Sequence, residues 1–232
     1  MTTTLITGAN KGIGYETARQ LRAIGHEVIL GARDIGRGQT AARELGVRFV
    51  QIDVTDDASV VAAAADISEH EGVLDVLVNN AGILGPRHES LGSISASDAE
   101  GVFQTNVLGA VRMIHAFLPI LERSSAPVIV NVSSSMGSFT RTTDPTAPEN
   151  SYPLPFYQAS KAALNMLTLK YAEAYPAMRI NVADPGGTDT DIMDHLGTQT
   201  VSEGSEAIVR LATASLTGPT SAFVGRDGHV PW

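Results

Sequence analysis

The chain has 232 residues, 43% of them hydrophobic and 18% charged, with a net charge of −9 and no cysteine. This composition supports a packed core and excludes a disordered chain. The acidic balance repels phosphate backbones and argues against a nucleic-acid partner. The lack of cysteine excludes disulfides, thiol catalysis and cysteine metal sites. The length suits one α/β domain over residues 1–232. No window approaches the roughly 18 apolar residues of a membrane span. The opening MTTTLITGAN has too short an apolar run for a signal peptide and no basic leader. A cytoplasmic location is therefore expected.

Seven short apolar or β-branched runs follow in chain order: TTTLIT (2–7), EVILGA (27–32), VRFVQID (47–53), LDVLVNN (74–80), APVIVNVS (126–133), MRINVAD (178–184) and SAFVG (221–225). Most are continuous rather than alternating, as in strands covered on both faces. Helical stretches lie at 12–24, 56–69, 98–122, 156–175 and 203–215, the second opening on the cap-like TDDAS. Alternation of this kind implies βαβ units and a parallel sheet with helices on both faces. Right-handed crossovers then make it doubly wound, with a ligand crevice at the carboxyl ends of the strands. Residues 138–155, rich in Pro, Thr and Ser, read as a loop. Residues 186–202 read as a short polar helix between loops. Both follow strand ends, where a ligand is expected.

The first strand runs into TGANKGIG (7–14). This is neither GxGxxG nor a P-loop. Gly8, Gly12 and Gly14 permit a tight turn and close backbone approach. The next helix start offers free N–H groups to a diphosphate. The second strand ends in GARD (31–34), where NAD sites place an acid and NADP sites a cation. Arg33 stands there, Lys11 can reach the same phosphate, and Asp34 comes one residue later as a counterargument. The pair of cations favours NADP(H), with NAD(H) as the alternative.

With these pieces in order, the chain resembles the short-chain dehydrogenase/reductase family nearly end to end. TGANKGIG looks like its TGxxxGxG turn, bringing in Asn10 and Ile13. Asp53-Val54 resembles its adenine-contacting pair, and Asn79-Asn80-Ala81-Gly82 its NNAG motif. Asn106 in TNVLG matches its helix asparagine and Ser134 in NVSS (131–134) its serine. Tyr157 and Lys161 in YQASK match YxxxK, and PGGTDT (185–190) resembles PGxxxT, with Pro185, Gly186, Thr188 and Thr190. Within the family the NADPH-preferring carbonyl-reductase branch is most similar. The resemblance implies a single-domain Rossmann fold with a mostly parallel seven-stranded sheet in the order 3-2-1-4-5-6-7.

A free tyrosine holds its proton to a pKa near 10. Tyr157 and Lys161 stand at i and i+4, so they share a helix face. The cation favours phenolate and is expected to tune Tyr157 for proton exchange near physiological pH. Ser134 is expected to bond the substrate oxygen; composition leaves Ser133 and Ser135 as rivals, and the family register favours Ser134. The resemblance assigns Lys161 to the nicotinamide ribose, Asn106 to the central helix and a water-mediated proton path, and Thr188 or Thr190 to the carboxamide, with Thr190 preferred. No metal is expected: the histidines are scattered, and Asp191 and His195, at i and i+4, read as a solvated face.

The expected reaction is hydride transfer between NADP(H) and a small-molecule carbonyl or alcohol, with the loop at 138–155 and a lid at 186–202 shaping the pocket. The loop offers Phe139, Arg141, Tyr152 and Phe156; Gly187 stands where relatives often carry a bulkier residue. Assembly stays open between monomer and homo-oligomer. Two rival readings are an NAD-dependent dehydrogenase of the same fold and a non-catalytic dinucleotide-sensing regulator; the latter predicts a degraded Ser–Tyr–Lys set.

Overall fold

The structure is a computed structural model that describes residues 1–87 and 91–232. Its strands are β1 (Thr3–Thr7), β2 (Glu27–Ala32), β3 (Arg48–Gln51), β4 (Val76–Asn79), β5 (Val128–Val132), β6 (Arg179–Ala183), β7 (Phe223–Gly225) and β8 (Gly228–His229). They form one sheet in the order β3-β2-β1-β4-β5-β6-β7-β8, parallel except for β8. The seven expected strands thus take the expected order. The eighth is a two-residue antiparallel return that follows the turn at Arg226-Asp227.

The helices are α1 (Gly12–Ala23), α2 (Ile35–Leu45), α3 (Asp57–His70), α4 (Ala96–Phe103), α5 (Gly109–Leu121), α6 (Phe139–Thr143), α7 (Pro155–Ala174) and α8 (Val201–Ala212). The strand interiors face two cores. Leu5, Ile29, Leu77, Ile129 and Ile180 pack with α3, α5 and α7 residues such as Ile67, Phe117 and Ala172. Ile6, Leu30, Val78 and Val130 pack with α1, α2 and α8 residues such as Leu21, Leu45 and Leu211. Covering both faces explains the continuous apolar runs.

Several elements depart from the sequence reading. Helix α2 was not among the expected stretches. Asp34 caps it by accepting from the Arg37 amide, and its Gly38 lies so close to the Phe49 ring that a Cβ there would come within 2.1 Å of the ring. The expected helix at 98–122 is divided: between α4 and α5, Gln104–Leu108 widens into a π-turn centred on Asn106. The expected loop 138–155 contains α6 and a 3-10 turn at Pro148–Ser151. The lid carries a 3-10 turn, Asp191–Met193, and a bridge between Thr188 and Gln199, and its last two residues already belong to α8. Among the described residues no helix is long and apolar enough to cross a membrane.

One close approach positions the crevice. The 3-10 turn Ser135–Gly137 lies directly on α7, and a Cβ at Gly137 would sit 2.7 Å from the Lys161 carbonyl carbon and 2.8 Å from the Ala162 nitrogen. Backbone cannot swing aside as a side chain can. Gly137→Ala is therefore expected to lower stability by about 1–3 kcal/mol, read as a shift of the urea midpoint. An unchanged midpoint would show that this packing places no demand on residue 137.

Candidate active site

At the carboxyl ends of β4, β5 and β6 the expected residues converge. Lys161 is only 5% exposed. Its ammonium donates to the Val132 carbonyl at 2.9 Å and lies 5.5 Å from the centre of the Tyr157 ring. Burial pushes Lys161 down to about 8, against the opposing pull of Asp184. Tyr157 keeps partial exposure at the crevice, yet its dense surroundings make desolvation dominant. Burial pushes the phenol up to about 12, Asp184 adds to this, and the Ser134 hydroxyl pulls it down. The sequence reading expected a phenol tuned downward by Lys161. In the polypeptide alone desolvation wins, and the phenol holds its proton.

The three serines separate by geometry. Ser133 is buried, its amide donating to the Ala183 carbonyl and its hydroxyl to the Lys161 carbonyl at 3.4 Å. Ser135 opens the 3-10 turn that rests on α7. Ser134 accepts from the Met136 amide at 3.2 Å and stands beside the Tyr157 hydroxyl. Asn106 is 2% exposed and locks two elements together. Its Oδ1 accepts from the Ile83 amide at 2.8 Å, and its Nδ2 donates to the Ile83 carbonyl at 2.9 Å and to the Ser160 hydroxyl at 3.0 Å. The Ser160 hydroxyl in turn donates to the Tyr157 carbonyl at 2.7 Å.

The glycine turn is held from below. Gly8 and Gly12 have φ of 65° and 56°. A Cβ on Gly14 would meet the Asn80 Nδ2 at 2.5 Å and the Gly8 carbonyl oxygen at 2.8 Å. That Nδ2 donates to the Thr7 carbonyl at 2.9 Å, while the Thr7 hydroxyl accepts from the Asn80 and Ala81 amides, each at 3.0 Å. Asn80 thus shapes the turn, and Ala81 packs against Gly8. Lys11 occupies the N-cap of α1 with no side-chain cap, so the first helical N–H groups stay available. Ile13 packs on the adjoining core, and Val54 lies against Gly109. Burial pushes the Asp53 carboxyl up, but two bonds from Thr55 and the nearby Arg33 together hold it below its ordinary value.

Beyond the turn, an open cleft is lined by Asn10, Lys11, Gly36, Arg37, Thr40 and Asp191, among others. Arg33 is exposed at the end of β2. Arg37 went unnamed at the sequence level because helix α2 was missed. The Lys11 ammonium is paired with the Asp191 carboxylate, a contact the sequence reading did not foresee.

The lid follows from Asp184. Gly186 has φ of 66° and its amide donates to Asp184 Oδ1 at 3.0 Å. Thr188 is buried, with its hydroxyl turned onto the Pro185 carbonyl at 2.7 Å. Thr190 remains partly exposed, its methyl 3.6 Å from a Cβ position at Gly12. Asp184 is buried and was not singled out from sequence. His195 bridges two acids, with Nδ1 2.9 Å from Asp189 and Nε2 3.1 Å from Asp191. Among the described residues no group of three or more acidic or histidine side chains is placed to hold a metal.

Two outcomes are expected from this geometry. Asn106→Ala strips both partners from Ile83 and should cost about 1–3 kcal/mol in chemical denaturation, with no loss if the π-turn is held by packing alone. His195 is raised above its ordinary value, chiefly by the hydrogen bond to Asp189. A raised histidine contributes below its unfolded pKa of about 6.5, and the contribution fades as pH climbs through the folded value. Subtilisin should therefore cut the lid faster in His195→Ala than in the parent below about pH 6.5, with the two rates converging at higher pH. Equal rates throughout would mean that the bridge does not hold the lid.

Comparison with known proteins agrees with this architecture. Residues 2–200 match the family described as short chain dehydrogenase. (−)-Isopiperitenone reductase of Mentha piperita is 34% identical, the match covering 96% of each chain. The NADPH-bound carbonyl reductase from chicken fatty liver superposes with a TM-score of 0.88 at 30% identity, covering 100% of this chain and 99% of that one. Salutaridine reductase of Papaver somniferum gives 0.86 at 29% identity, covering 96% of this chain and 99% of that one. The chain is thus a member of the short-chain dehydrogenase/reductase family.

Proposed function

We propose that this protein is an NADPH-dependent carbonyl reductase, with Ser134, Tyr157 and Lys161 as its catalytic set and Asn106 in support. The observation that carries this reading is the buried Lys161 ammonium beside a proton-retaining Tyr157, with the Ser134 hydroxyl next to the phenol.

The chain's residues fit a nicotinamide dinucleotide. The glycine turn is a cradle that a Cβ at Gly14 would fill, and it opens on uncapped N–H groups suited to a diphosphate. Asp53 and Val54 would flank the adenine, with Asn10, Gly12, Ile13, Ala81 and Gly82 lining the path. Arg33, Lys11 and Arg37 would hold a 2′-phosphate. Pro185, Gly186 and Thr190 would face the carboxamide, whereas Thr188 is engaged with the Pro185 carbonyl. Bound NADPH supplies the hydride.

The rest of the chemistry belongs to the chain. Ser134 orients the carbonyl oxygen and stabilises its developing charge. Tyr157, holding its proton up to about 12, delivers that proton to the forming alkoxide. The protonated phenol is the form that carbonyl reduction requires. Lys161 keeps a positive charge beside the phenolate that remains. Buried and bound to the Val132 carbonyl, it cannot rotate into solvent.

One observation favours NAD(H) instead: Asp191 already pairs with Lys11, and Glu44 lines the same cleft. Both acids would oppose a 2′-phosphate. Two arginines outweigh them in our reading.

Tyr157→Phe tests the assignment. With NADPH and a panel of aldehydes, ketones and quinones, the variant should lose at least about a hundredfold in kcat/KM. Its NADPH affinity should stay within about threefold of the parent, a change smaller than 1 kcal/mol. Retained turnover would remove Tyr157 from the chemistry.

A further inference from the structure

Residues 138–155 join the two ends of the catalytic set: Ser138 follows the turn at Ser134, and Pro155 opens the helix that carries Tyr157. Hydrogen bonds secure the segment at both ends. The Ser138 amide donates to the Ser135 carbonyl at 3.0 Å, and the Ser138 hydroxyl accepts from the Arg141 amide at 3.1 Å, which starts α6. Asn150 Nδ2 donates to the Thr142 carbonyl at 2.8 Å, tying the 148–151 turn to α6. Gln158, next to Tyr157, donates through Nε2 to the Glu149 carbonyl at 3.3 Å. α6, the turn and the start of α7 thus form one continuous wall between Ser134 and Tyr157.

This wall needs an outside anchor. α6 has five residues, too few to hold a helix in water unaided. The N–H groups of its first turn have no acceptor within the helix. One of them, the Thr140 amide, donates to the Trp232 carbonyl at 3.2 Å, and the Thr140 hydroxyl donates to the same oxygen at 2.7 Å. Trp232 is held in turn by the edge of the sheet. The Val230 amide donates to the Phe223 carbonyl at 2.8 Å, continuing the pairing of β7 with β8. The Trp232 ring lies on the Phe223 ring, with centroids 5.3 Å apart and planes inclined at 35°. Phe223 is fully buried and packs with Val182 and Val230, so the seat beneath the indole is fixed.

We infer that Trp232 is a positioning residue: seated on Phe223, it pins α6, and through α6 the wall that runs from Ser134 to Tyr157.

Hydrogen exchange over residues 138–152 reads the pinning directly. In Trp232→Ala these amides should exchange about three- to tenfold faster than in the parent, the effect of losing one neutral hydrogen bond. The amides of the central strands should keep the parent's rates. Trp232→Phe, which keeps a ring for the Phe223 seat, should stay near the parent. If Trp232→Ala fails to fold, Thr140→Val takes its place: it removes the hydroxyl donor and leaves the indole on its seat. Trp232 is the one tryptophan of the chain, so the intrinsic fluorescence excited at the indole band reports this seat alone. Acrylamide should quench it more strongly in Thr140→Val than in the parent. Unchanged exchange in folded Trp232→Ala, a rise spread equally over the sheet, or unchanged quenching in Thr140→Val overturns the inference.

The catalytic consequence rests on the function proposed above. The glycine turn and Arg33 belong to β1 and β2, in the other half of the sheet from β7. Loss of the pin should therefore disturb how the carbonyl substrate is held while the dinucleotide turn stays intact. In Trp232→Ala the KM for a carbonyl substrate should rise at least about threefold with kcat within about twofold of the parent, the pattern of lost substrate binding. NADPH affinity should not change, and Trp232→Phe should restore the parent KM. A parent enzyme that reduces no carbonyl defeats the proposed function and leaves the exchange result standing. A working parent whose substrate KM ignores residue 232 defeats the inference alone.

Discussion

A buried ammonium is the constraint on which the rest of the structure depends. Isolated charge in a protein interior is costly, and it persists only where hydrogen bonds and an opposite charge offset the lost water. The Val132 carbonyl supplies Lys161 with such a hydrogen bond, and burial still pulls the ammonium down to about 8. Its neighbours fix where that ammonium sits. The Ser135–Gly137 turn lies flat on the helix at Lys161, Ser133 reaches the Lys161 carbonyl, and Asn106 ties the π-turn to Ser160 one residue away. The result is a rigid cation beside a phenol, at the end of a sheet whose both faces are already closed.

The same strand ends position everything else by topology. In a doubly wound parallel sheet the loops that leave the carboxyl edge all emerge on one side. β1 delivers the glycine turn, β4 the Asn80–Gly82 segment, β5 the three serines and β6 Asp184 with the lid. Residues more than 170 positions apart, such as Lys11 and Asp191, thereby become neighbours. The site is a product of strand order, and its chemistry comes from a handful of side chains mounted on that order.

This division explains what the sequence made legible. Strands covered on both faces leave continuous apolar runs, so all seven long ones were readable within a few residues of their bounds. The motifs that end them were readable because glycine, serine, tyrosine and lysine stand at fixed spacings. Helix α2 was not, since Gly36 and Gly38 weaken its local signal and its stability comes from the Phe49 ring packed on Gly38; Arg37 was lost with it. The two-residue β8 has no periodicity to read. Asp184 looks like any acid at a strand end until its burial is known. The raised Tyr157 is likewise a tertiary property: the spacing shows that Lys161 is near, but desolvation depends on what surrounds both.

The account as a whole requires that this crevice admit NADPH and prefer it. The most direct measurement is a titration of the purified protein with NADPH and, separately, with NADH, following nicotinamide fluorescence. If Arg33 and Arg37 hold the 2′-phosphate as proposed, NADPH should bind at least about tenfold tighter, equivalent to one good charge-assisted contact. Equal or tighter binding of NADH would contradict the assignment of those arginines, and binding of neither would contradict the reading of the crevice as a dinucleotide site.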